Sequence, residues 1–138
     1  MATKTKKQTA DFSKEIISAY MDYVLTEKKE PGSIYAFAKQ MGIAEKEFYI
    51  YFSSFADIDH AIWDQAAEQT ISTLVSSKEY ETYSTREKIL GLFYTLQEAL
   101  NNNRSYYLHS LKSQQPMYKN LRKFKGRIEE FSKMVIQQ

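Results

Sequence analysis

The stretch from Ile34 to Phe52 constrains this chain more than any other part of it. Apolar side chains fall at Ile34, Phe37, Met41, Ile43, Phe48 and Tyr51, with the small residues Ala38 and Gly42 between them. Steps of three and four residues keep side chains on one face of a helix. Gly42 suits a turn that needs positive φ, and Ala38 lets two helix backbones approach closely. Two short helices, Ile34–Met41 and Ala44–Tyr51, are therefore expected to bury a shared wedge across a tight turn. This is helix-turn-helix spacing, in which the second helix enters the major groove of DNA. An ordinary corner between two helices can share it.

The remainder also reads as helix. Ile16, Ile17, Tyr20, Tyr23 and Val24 form a stripe that Ser13 can cap and that Pro31-Gly32 ends. A longer helix is expected from about Ala56 to Ser76, then a polar break at Tyr80–Tyr83. Ser84 and Glu87 have capping-box spacing and open a helix carrying Ile89, Leu92, Phe93, Leu96 and Leu100. A shorter helix follows to about Lys112, and Pro116 can start the last, with Met117, Leu121, Phe124, Ile128, Phe131 and Val135 in a near-heptad seam suited to a partner helix. Four glycines and two prolines in 138 residues are too few for a turn-rich β-sandwich or barrel. The expected fold is all-α, with seven helices and no strand. Its parts are a disordered basic tail (1–11), an N-terminal three-helix domain (12–55) and, reached by a connecting helix, a small helical bundle (56–138).

Composition removes several functions. The chain has no cysteine, so disulfides, thiolate metal sites and cysteine nucleophiles are excluded. His60 and His109 are the only histidines, too few for a zinc centre, and no metal site or cofactor is expected. No Gly-rich phosphate loop, nucleophile elbow or catalytic pair of carboxylates occurs, and an enzyme is not supported. No apolar run is long enough for a membrane span and no secretory signal is apparent, so a cytoplasmic location is expected. The net charge of +2 hides an uneven distribution: residues 8–60 hold five lysines against nine acids, whereas residues 104–138 hold eight basic residues against Glu129 and Glu130.

Tyr49-x-Tyr51-Phe52, followed by Ser53-Ser54 and an apolar helix through Ile58 and Ile62, resembles the TetR family of bacterial transcriptional regulators. The preceding amphipathic helix and its stop ahead of Ile34 match as well, so that the resemblance covers about Phe12 to Gln65. It implies a dimeric, ligand-responsive repressor that binds double-stranded operator DNA. On matching positions it implies that Ser33 caps the first motif helix and touches a phosphate, and that Tyr35 stands where relatives often read bases with arginine. It implies that Ala44, Glu45 and Lys46 begin the recognition helix, that Tyr49 contacts phosphate and that Tyr51 lies beside it. Lys39, and the tail lysines Lys4, Lys6 and Lys7, can add positive charge; a solvated tail competes with that reading. Tyr51 and Phe52 also suit the core, where the wedge needs bulk.

The pattern departs from the family at several points. The cap hydroxyl is replaced by Ala44, Glu45 and Glu47 place acid near the expected phosphates, and Phe55 replaces a phosphate-directed lysine. The alternative is an interaction module of the same fold that has lost most DNA binding. The family also implies an effector pocket for a small apolar or aromatic molecule, for which Trp63, Phe93, Tyr94, Tyr106 and Tyr107 are candidates; simple core packing competes. Regulators of this kind usually carry two further helices for dimerisation. Met117–Val135 is therefore expected either to take over that role or to end a shortened form. The basic face of that helix is expected to be solvated or to meet an acidic partner.

Overall fold

The computed structural model describes residues 5–113 and 119–137. Among the described residues the protein is all-helical, with no strand. The elements are α1 (Thr5–Glu27), α2 (Ile34–Met41), α3 (Glu45–Tyr51), α4 (Phe55–Val75), a 3-10 turn (Tyr80–Thr82), α5 (Thr85–Asn101), α6 (Arg104–Ser113) and α7 (Lys119–Ile136). Lys4, Pro116 and Met117 lie outside the described residues. No helix among them is long and apolar enough to cross a membrane.

One expectation is corrected at the N-terminus. Thr5–Ala10 belong to α1 rather than to a structureless tail, and the helix starts well ahead of Ser13. Lysine, glutamine and alanine there are good helix formers, and no glycine or proline interrupts them. The chain divides into two compact units, Met1–Asp59 and His60–Gln138. Their boundary falls inside α4, after its first turn, rather than at its start.

The first unit is built around aromatic rings. Phe37 from α2 meets Tyr20 and Tyr23 of α1 edge-on, with centroids 6.3 and 6.4 Å away. It also meets Phe48 of α3 at 6.2 Å and Phe55 of α4 at 5.6 Å. Phe55 stacks on Tyr20 at 5.6 Å. Phe48 and Ile16 are fully buried, and Val24, Ala38 and Ile58 join them. Edge-to-face and offset-stacked pairs each add about 0.5–1.5 kcal/mol to the area that such rings bury. Phe55 is thus a core residue.

Glu30 gives this unit a pH dependence. Partial burial of the Glu30 carboxyl, in a residue exposed overall, raises its pKa, and the Asp59 charge raises it further. Burial, with Glu30 and Asp59 behind it, also raises the pKa of the Tyr20 hydroxyl, which stays neutral. A carboxyl whose folded pKa is raised contributes stability fully below its ordinary range and loses it as pH rises through the folded value. Glu30→Gln is therefore expected to be more stable than the wild type at pH 7. The difference should vanish below the ordinary glutamate range, as denaturant titrations at the two pH values will show.

The second unit buries Trp63, Ala66, Ala67, Thr70 and Leu74 of α4 with Leu92, Tyr106, Tyr107, Phe124, Ile128, Phe131 and Val135. Ser84 accepts from the Glu87 backbone N–H while Glu87 accepts from that of Ser84, completing the expected capping box. The turn at Tyr80 is not the polar break expected of it. Tyr80 is buried, and the Lys88 ammonium sits over its ring, 4.6 Å from the centroid. At Gly91 a Cβ would fall 2.9 Å from Leu74 Cδ1, so α5 approaches α4 where a side chain is missing. Arg127 ties α7 to α4, donating to Asp64 at 2.7 Å and to Glu68 at 2.6 Å. The α7 seam of Phe124, Ile128, Phe131 and Val135 is buried, and α7 packs with α5 of the same chain.

Candidate nucleic-acid interface

The turn between α2 and α3 follows from its residues. Ser33 caps α2, its hydroxyl accepting from the Ala36 N–H at 3.0 Å. At the other end Gly42 takes φ 79°, and its N–H bonds to the Lys39 carbonyl at 3.0 Å. The Ile43 N–H bonds to the Ala38 carbonyl, also at 3.0 Å. These two bonds make a Schellman motif, which satisfies the last carbonyls of α2 and requires a residue at ease with positive φ. The chain then enters α3 at Ala44, which offers no side-chain cap. In its place Glu45 and Glu47 stand in the first turn, where the helix dipole favours negative charge. Ser54 accepts from the Asp57 N–H and Asp57 accepts from the Ser53 N–H, both at 3.1 Å, which fixes the start of α4.

Burial sorts the residues of this region. Phe37, Ala38 and Phe48 face the core. Ser33, Tyr35, Lys39, Ala44, Glu45, Lys46 and Tyr49 are exposed. Tyr35 and Lys39 stand four residues apart on α2, as do Glu45 and Tyr49 on α3, so each pair shares a helix face. Tyr35 is 59% exposed and Tyr49 50%, large values for aromatic rings. Tyr51 differs: it is half-buried and packs on Phe12, with ring centroids 5.7 Å apart. It therefore helps to hold α3 on α1. Ile50 was not among the expected site residues, yet it is 68% exposed on α3, beside Lys46 and Tyr49. Its signal in the sequence is an apolar residue off the buried stripe.

The expected effector residues divide between the interior and the surface. Trp63, Tyr106 and Tyr107 are packed together in the second unit, with Trp63 centred 4.8 Å from Tyr107 and 5.4 Å from Phe124. The Trp63 indole N–H donates to Ser110 at 2.9 Å, so its polar atom is also engaged. Phe93 and Tyr94 lie at the surface instead. A cavity of about 370 Å³ does occur elsewhere, in the first unit, lined by Asp22, Tyr23 and Glu27 of α1 and Phe37 and Met41 of α2, among others. None of the five expected effector residues reaches it. Among the described residues there is no cluster of potential metal ligands.

The exposed face of α2 and α3 has two lysines, two aromatic rings, an aliphatic side chain and a cap hydroxyl whose own proton is available to an acceptor. Lysines and hydroxyls suit phosphate oxygens, and exposed apolar groups suit sugars and thymine methyls. The acids Glu45 and Glu47 oppose such contacts. In comparisons with known proteins, the chain matches no family model, no curated protein and no solved structure.

Proposed function

We propose that the protein is a TetR-like transcriptional regulator that binds double-stranded DNA through a helix-turn-helix made by α2 and α3, acting as a dimer. One observation carries this reading: the helix pair is joined by the Gly42 turn, while Tyr35, Lys39, Lys46 and Tyr49 are left exposed on its outer side. Packing uses none of these four residues as a core position. In this reading α3 enters the major groove, Lys46, Tyr49 and Ile50 meet bases and backbone, and Ser33 and Lys39 hold phosphates.

The electrostatic attraction is small. Two lysines per reading head imply about four phosphate contacts per dimer, hence a slope of log affinity on log salt of about −4. The test is selection of bound fragments from a random duplex pool at low salt, followed by titration of the selected and unselected duplexes against salt. A clear preference with a shallow slope supports the reading; equal affinity for both pools sinks it.

A second reading is favoured by Glu45, Glu47 and the buried Phe55. In it the exposed α2–α3 face docks a protein, and its rings rather than its charges carry the affinity. The same titration separates the two, since such a module holds no duplex at low salt.

A further inference from the structure

We infer that the cavity between α1 and α2 is a binding site for a small organic cation, a primary ammonium carried on an apolar body of roughly phenyl size. The site lies wholly within the first unit and shares no residue with the aromatic cluster of the second. It goes beyond the proposed function and does not depend on it.

At about 370 Å³ the cavity has the size of a small-molecule site, for which about 300–1,000 Å³ is usual. The hollow follows from short side chains. Ala19, Tyr23 and Thr26 share one face of α1 at steps of four and three residues, and two of the three reach little way toward α2. Asp22 and Glu27 are five residues apart, about 140° around the helix, and so bracket that face on its two edges. On the α2 side Phe37 is buried and Met41 half-buried, as is Tyr23 on α1. The Tyr23 and Phe37 rings stand at 89° to one another with centroids 6.4 Å apart, which makes an apolar corner. Asp22, Thr26, Glu27 and Gln40 are exposed, so the polar groups stand at the mouth and the apolar ones at the floor.

That division selects the ligand. The lining carries two carboxylates and no lysine, arginine or histidine. Glu27 is also the last residue of α1, whose last turn holds no basic side chain, so the negative end of the helix dipole adds to the same field. Lys28 and Lys29 follow in sequence but do not line the cavity. An ammonium at the mouth donates to one carboxylate while the other adds to the attraction, with the Gln40 amide oxygen and the Thr26 hydroxyl as further acceptors. The body behind it meets the two rings and the Met41 thioether, which suit a group next to positive charge. An anion is repelled here. A hard metal ion calls for six or more oxygens and would find two carboxylates beside apolar rings.

Calorimetric titration of the full chain at low salt with 2-phenylethylammonium, from about 10 µM to about 10 mM, tests the site. Saturable binding with Kd at or below about 1 mM is expected. 2-Phenylethanol, similar in shape but uncharged, should bind at least about tenfold more weakly, and the anion phenylacetate more weakly still. Asp22→Asn with Glu27→Gln should cost at least about tenfold in affinity at unchanged circular dichroism, because both positions are exposed. Ala19→Leu, which fills the hollow, should abolish binding; if that variant fails to fold, the carboxamide pair decides alone. A wild type that does not saturate by about 10 mM overturns the inference. So does equal affinity for the ammonium and either control, or a folded variant of either kind that binds as tightly as the wild type. No DNA enters the assay, so its outcome and that of the proposed function are read separately.

Discussion

Phe48→Ala is expected to unfold the N-terminal unit at or near room temperature. Phe48 is fully buried, and its ring lies 5.8 to 6.2 Å from those of Phe37, Tyr49, Phe52 and Phe55. Removing a buried phenylalanine costs about 3–5 kcal/mol, as lost transfer energy and as the cavity that remains. A small domain is stable by only about 5–15 kcal/mol, so the loss is a large share of the total. The surroundings are ill suited to collapse, because rings on four sides belong to three different helices or their ends. The first unit's part of the tyrosine near-ultraviolet circular dichroism should be lost in this variant, while the tyrosines of the second unit keep theirs. A melting temperature within a few degrees of the wild type would show that the ring cluster is not what holds the unit together.

The second large effect concerns Glu45 and Glu47. In the proposed regulator, neutralising both as Glu45→Gln with Glu47→Gln should tighten binding to DNA roughly tenfold per reading head at low salt. The estimate follows from Coulomb's law: a carboxylate about 7 Å from a phosphate in water is repelled by about 0.6 kcal/mol, and there are two. The gain should shrink as salt rises toward physiological strength, where the screening length approaches that separation. It comes with a penalty in the fold, since each acid at the start of α3 contributes about 0.3–1 kcal/mol through the helix dipole. Anisotropy titrations of one duplex against both proteins at two salt concentrations will measure it. Equal affinities at low salt would remove α3 from the DNA surface.

Much of the first unit was legible because its constraints are local. Gly42 announces a positive φ, Ser33 announces a cap, and the steps through Phe37 and Phe48 announce the wedge; each depends on residues within a turn or two, as does the Ser84 cap in the second unit. The failures concern longer range. The α7 seam was readable as a seam, but a heptad stripe does not say whether its partner lies in the same chain or in another. Aromatic composition does not say which face of α5 turns inward, so the exposure of Phe93 and Tyr94 was not readable from it. Gly91 held that information, since the helix face with no side chain is the one able to approach α4. Tyr80 looked polar because its neighbours are, and the ammonium over its ring comes from Lys88, eight residues further on. At the N-terminus, Thr5–Ala10 lack an apolar stripe, so their helical propensity alone pointed to the structure they adopt.

The protein carries its own optical label. Trp63 is the single tryptophan, buried in the second unit among Tyr107 and Phe124, whereas the first unit has tyrosines and phenylalanines only. Excitation at the red edge of the absorption band therefore reports on one unit and is silent about the other. In one denaturation experiment tryptophan emission would follow the second unit by itself, while tyrosine ellipticity, to which both units contribute, would follow the two together, with no added dye. Coincident curves would mean that α4, common to both, makes them melt as one cooperative block.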